Sequence, residues 1–90
     1  MSEQAVFDAL KYRVVVNEYG DKLYYNNANQ LHRTDGPAIE CPDNSKYWYQ
    51  YGHLHRTDGA AVELSIGDKW WFIDGVQLTE AEFNQAIKSL

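Results

Sequence analysis

Leu31-His32-Arg33-Thr34-Asp35-Gly36 returns letter for letter 23 residues later as Leu54-His55-Arg56-Thr57-Asp58-Gly59. A six-residue identity at a fixed offset marks an internal repeat. In repeat folds each copy is one supersecondary unit that closes its core only by stacking on its neighbours. The copy also runs past the motif. Pro37-Ala38-Ile39-Glu40 is answered by Ala60-Ala61-Val62-Glu63, and Lys46-Tyr47-Trp48-Tyr49 by Lys69-Trp70-Trp71-Phe72, at the same offset. These matches divide a single domain over residues 1–90 into units of about 12–40, 46–63 and 69–78, with a closing segment over 79–90.

Ninety residues are near the length at which a chain buries barely enough surface to fold alone. The three Trp, seven Tyr and three Phe compensate, since each ring can bury roughly 150–250 Å². Thirteen acidic against eight basic residues give a net charge of −5. That balance argues against direct nucleic-acid binding, which needs a basic face to displace counterions, and favours a neutral or basic partner. Cys41 is the sole cysteine, so an internal disulfide is excluded and a reducing, cytoplasmic setting is expected. No apolar run approaches the ~18 residues of a membrane span, and Met1-Ser2-Glu3-Gln4 lacks the basic and apolar regions of a signal peptide.

Taken in order, residues 2–10 suit a short N-terminal helix with Ser2 as its cap and Val6, Phe7 and Leu10 on one side. Six strands are predicted, over 12–17, 22–26, 38–41, 46–50, 60–66 and 69–74. Turns at 18–21, 42–45 and 67–68 join them, with a polar connection over 27–35. Thr79 with Glu82 makes a capping box, and Leu78 with Phe83 a hydrophobic staple, so a helix over 79–90 begins there. Its apolar stripe is Phe83, Ala86, Ile87 and Leu90. The fold class is mainly β, a β-rich α+β domain built as an antiparallel meander with a C-terminal helix.

Directly opposed residues of an antiparallel pair share a face. A two-residue turn at Gly67-Asp68 sets Leu64 against Trp71 and Val62 against Ile73, and a four-residue turn at 42–45 sets Ile39 against Trp48. The core face is then Ile39, Trp48, Val62, Leu64, Trp71 and Ile73, with Tyr24 and Val15. The opposite face carries Leu23, Tyr25, Tyr47, Tyr49, Trp70 and Phe72, interleaved with Glu40, Glu63 and Ser65.

A strand with Lys-aromatic-aromatic, a Gly turn, Leu-His-Arg-x-Asp-Gly-Pro-Ala and a second short strand resembles a repeat common in bacteriophage and bacterial proteins, itself similar to the MORN repeat. The matching positions are 22–40 and 46–63, and Trp70-Trp71-Phe72-Ile73-Asp74-Gly75-Val76-Gln77-Leu78-Thr79-Glu80 resembles the usual terminal unit. The resemblance implies β-hairpins laid side by side in one elongated sheet, and a phage setting. Asn26-Asn27-Ala28-Asn29 stands where the pattern has a tight Asn-Gly turn, and Ala60 replaces the proline.

The repeated motif reads as a corner. Asp accepts hydrogen bonds from its own turn, Gly supplies positive φ, and Arg33 and Arg56 pair with Asp35 and Asp58 or with Glu40 and Glu63, tying units together. The alternative is an anion site in which His32, Arg33, His55 and Arg56 grip a phosphate or nucleotide. His53, His55 and His32 with Cys41 make a poor zinc set, so no metal or other cofactor is expected. No nucleophile elbow or phosphate loop with Lys is present, nor an acid–base pair that the repeat does not already explain, and the expected function is non-enzymatic. Exposed aromatics on a rigid sheet suit a protein interface. The expectation is a binding protein that masks a host protein or defence complex with Tyr25, Tyr47, Tyr49, Trp70 and Phe72 beside Glu40 and Glu63, the carboxylates favouring a basic patch. A homodimer or structural oligomer is the other way to cover such a face.

Overall fold

The structure, a computed structural model, describes residues 11–90. The helix expected over 2–10 lies outside them. The described chain is mainly antiparallel β with one helix at its C-terminal end, the class the repeat and the capping box predict. Strands β1 (Arg13–Val16), β2 (Lys22–Tyr25), β3 (Ile39–Glu40), β4 (Lys46–Tyr47), β7 (Val62–Glu63), β8 (Lys69–Ile73) and β9 (Val76–Leu78) form a seven-stranded sheet in that order. β5 (Tyr49–Gln50) and β6 (His53–Leu54) form a separate two-stranded sheet. The chain extends over 47 × 29 × 19 Å, the elongated shape expected when units stack in one direction.

Two kinds of turn, each with residues at positive φ, fix this topology. At 17–21, 26–30, 41–45 and 64–68 the first and last residues are joined by a backbone hydrogen bond, and the residue before the last bonds back to the first. Gly20 (φ 85°), Asn29 (61°), Asn44 (75°) and Gly67 (100°) occupy the left-handed position of these three-residue loops. Asn17 Oδ1 accepts the N–H groups of Tyr19 and Asp21, and Asn26 Oδ1 those of Ala28 and Gln30, so the Asn side chains hold the loops they open. The second kind is a two-residue turn with positive φ at both positions, Tyr51-Gly52 (51°, 81°) and Asp74-Gly75 (49°, 81°). These turns create β6 and β9, beyond the six predicted strands.

The loops correct the predicted facing. Three-residue loops over 42–44 and 65–67 replace the four- and two-residue turns, so Ile39 opposes Tyr47 and Val62 opposes Trp70. A register change of an odd number of residues flips every later side chain to the other face. One face therefore carries the ladder Val15, Leu23, Ile39, Tyr47, Val62 and Trp70. The other carries Lys22, Glu40, Lys46, Glu63 and Lys69, alternating in charge across five strands. Opposite charges directly across a pair favour that register, each by roughly 0.2–1 kcal/mol.

The core is small and tightly placed. Ala38, Ala60, Ala61 and Val62 are buried, as are Tyr24 and Phe83. Helix α1 (Glu80–Ile87) starts as predicted: Thr79 Oγ1 accepts the Glu82 N–H, and Glu82 Oε1 accepts the Thr79 N–H. It packs on β8 and β9 through Phe83. The helix ends at Ile87 rather than 90, and Leu90, expected on the apolar stripe, is exposed.

Candidate functional site

Each copy of the motif builds the same clamp around its arginine. Arg56 Nε donates to Asp58 Oδ1 at 2.7 Å, and Nη1 donates to the Ala60 carbonyl at 3.0 Å and to Glu63 Oε2 at 3.2 Å. The guanidinium carbon lies 3.7 Å from the centre of the Trp48 ring. Arg33 repeats this with Asp35 (3.0 Å), the Pro37 carbonyl (3.1 Å), Glu40 (3.6 Å) and the Tyr24 ring (4.0 Å). Charge-assisted bonds from a planar fork, with a ring stacked on its face, fix the arginine in one orientation.

The motif glycines serve this clamp, which corrects their predicted role. Gly36 and Gly59 do not take positive φ. A Cβ on either would sit 2.9 Å from the guanidinium carbon of Arg33 or Arg56. A side chain at either position would have to push the guanidinium from its place between the glycine and an aromatic ring.

Unit-to-unit ties come from the histidines and the backbone rather than from the arginine pairs, which stay within their own unit. His32 Nδ1 accepts the Tyr51 N–H and His55 Nδ1 the Asp74 N–H, each at 3.0 Å. Arg33 N–H donates to the Tyr49 carbonyl and Arg56 N–H to that of Phe72, in the following unit, while His32 and His55 N–H donate back to Tyr24 and Trp48. Every motif is thus stitched to the hairpin before it and the hairpin after it. His53 is exposed in β6, and among the described residues no His, Cys, Asp and Glu set is arranged to hold a metal ion.

A further residue, Tyr12, completes the first corner. Its hydroxyl lies 3.1 Å from Thr34 Oγ1, accepts the Thr34 N–H at 3.1 Å and donates to Asp35 Oδ1 at 3.3 Å. Tyr12 falls in no repeated segment, so sequence comparison of the units could not single it out. Between the corners a groove of about 470 Å³ is lined by residues 33–36, Trp48, Gln50 and 55–58. It brings Arg33, His55 and Arg56 together with Asp35 and Asp58. His32 faces Tyr12 and Tyr51 instead.

Of the predicted interface residues, Tyr47 and Trp70 share the apolar ladder with Leu23, Ile39 and Val62. Alternation places Phe72 on the same side of β8 as Trp70, and Tyr25 on the same side of β2 as Leu23. Burial raises the Tyr47 phenol above its ordinary pKa, and Trp70 is 43% exposed. Tyr49 lies in the other sheet, opposite Leu54. Glu40 and Glu63, expected among these aromatics, are on the opposite face, where they pair across strands with Lys22, Lys46 and Lys69 and bind Arg33 and Arg56. No family model, curated protein or solved structure matches the chain.

Proposed function

We propose that the chain is a small, non-catalytic binding domain that masks a surface of another protein with the exposed Trp70 end of its apolar ladder. The observation that carries this reading is Trp70, 43% exposed at the end of an in-register row with Leu23, Ile39, Tyr47 and Val62. A large ring presented by a hydrogen-bonded sheet loses little conformational freedom on docking and excludes much water, the properties of interface anchors. With Glu40 and Glu63 behind the sheet, the electrostatic contribution comes from the net charge of −5, which favours a neutral or basic partner. The repeat resemblance extends the proposal to a phage-encoded protein acting on a host protein or defence complex in the host cytoplasm. Among the described residues no helix is long and apolar enough to cross a membrane. Nucleotide or anion binding by His32, Arg33, His55 and Arg56 has less support, because both guanidinium groups are bound to carboxylates and both His Nδ1 atoms to backbone N–H groups. Affinity capture with the native chain and a Tyr47→Ala/Trp70→Ala variant tests the proposal; capture undiminished in the variant contradicts it.

A further inference from the structure

Tyr12 shows what a corner of this repeat can hold. Its hydroxyl sits between the Thr34 N–H and Asp35, its ring stands edge-on to Tyr24 with centroids 5.8 Å apart, and His32 lies 6.5 Å away. The arginine clamps show the correspondence between copies: Arg33 stacks on Tyr24 as Arg56 does on Trp48. The four neighbours of Tyr12 therefore map onto Trp48, His55, Thr57 and Asp58. All four line the groove of about 470 Å³ between the corners. Among the described residues no hydroxyl approaches Thr57 or Asp58 as Tyr12 approaches Thr34 and Asp35, and the Asp58 side chain is 82% exposed against 56% for Asp35.

We propose that this groove is a seat for a tyrosine side chain of a partner protein. The incoming ring lies against Trp48 beside His55, and its hydroxyl accepts the Thr57 N–H and donates to Asp58. The chemistry selects a phenol. A phenylalanine would cover the Thr57 N–H without pairing it and would offer no donor to Asp58, whose Oδ1 is already held by Arg56. A phosphorylated ring would bring its charge against Asp35 and Asp58, the two carboxylates of the groove. No ladder residue lines this groove, so the seat does not depend on the ladder.

The test is a titration of the isotopically labelled full chain with N-acetyl-L-tyrosinamide and with N-acetyl-L-phenylalaninamide, followed by NMR. The tyrosine probe is expected to give saturable shifts at the Trp48 indole and the Thr57 and Asp58 amides, with at least fivefold weaker binding of the phenylalanine probe. Asp58→Ala, which removes the acceptor, should remove that preference, and Trp70→Ala should keep it. Absence of saturable shifts, or equal affinity for the two probes, overturns the proposal without reference to any variant. Shifts at Thr57 on diluting the protein alone also overturn it, since they place a second copy of the chain in the groove.

Discussion

His32 accepts the backbone N–H of Tyr51 through Nδ1 at 3.0 Å, while the Tyr51 ring lies 4.4 Å from the imidazole, centre to centre. Tyr51 takes φ 51°, a conformation costly for a bulky residue, and the two contacts from His32 hold it there. His55 makes the same hydrogen bond to Asp74, at φ 49°. A histidine of one unit thereby fixes the hairpin turn of the next, which explains its place in the repeated motif. The acceptor must be an unprotonated Nδ1, so the neutral ring carries its proton on Nε2.

This bond makes part of the stability dependent on pH. Burial holds His32 below the ordinary histidine pKa, so the unfolded chain takes up the proton first. The contribution is complete above about pH 6.5 and declines as pH falls from there through the lower folded value. Urea unfolding of the native chain and His32→Asn between pH 8 and pH 5 should show a loss of stability on acidification that is smaller in the variant. Parallel curves would contradict the role given to Nδ1.

The Gly59–Arg56 contact gives a sharper test. Gly59→Ala must displace a guanidinium pinned by Asp58, Ala60, Glu63 and Trp48. Loss of charge-assisted hydrogen bonds of this type costs about 1.5–3 kcal/mol. In an Arg56→Ala background the same substitution should cost much less, a coupling of about 1 kcal/mol or more in a double-mutant cycle. Additive effects would show that Gly59 serves some purpose other than admitting Arg56.

How much of this was legible depended on how local each signal was. The helix start was readable because Thr79 and Glu82 satisfy each other within one turn. Stacked hairpins were readable because the repeat spells out one unit twice. Register was not, because one residue more or less in a loop decides it, and nothing short of the αL conformation of Asn44 and Gly67 distinguishes a three-residue loop from its neighbours. The misplacement of Glu40 and Glu63 among the aromatics followed directly. β6 was hidden because its turn puts a tyrosine, Tyr51, at positive φ. The motif arginines were expected to pair with carboxylates and do so, but the glycine requirement came from the third dimension, where Arg33 and Arg56 lie over the backbone.

Cys41 should be a slow thiol. Burial first, then a hydrogen bond to Asp21 and the charges of Asp21 and Asp43, push it up to about 11. Against an ordinary cysteine the thiolate fraction at neutral pH falls about 100-fold. Because a less acidic thiol gives a more nucleophilic thiolate, modification by a disulfide reagent at pH 7.5 should be slower than that of the urea-unfolded chain by roughly tenfold, and Asp21→Asn should accelerate it. Equal rates in folded and unfolded chains would contradict this account.

Thr79 anchors the only helix among the described residues. Thr79→Ala removes the acceptor for Glu82 N–H and should lower stability by about 1 kcal/mol. Amide hydrogen exchange should rise first over residues 80–83, leaving β1 to β4 unchanged. Unchanged exchange in the first helical turn would contradict the cap's role.

The central claim is that the repeated motifs build the scaffold while the ladder ending at Trp70 does the binding. Its most direct test is affinity capture from a host lysate by the native chain and by Tyr47→Ala/Trp70→Ala, with circular dichroism confirming the fold of both. A protein should be retained by the native chain and lost by the folded variant. Equal retention by both would contradict the claim.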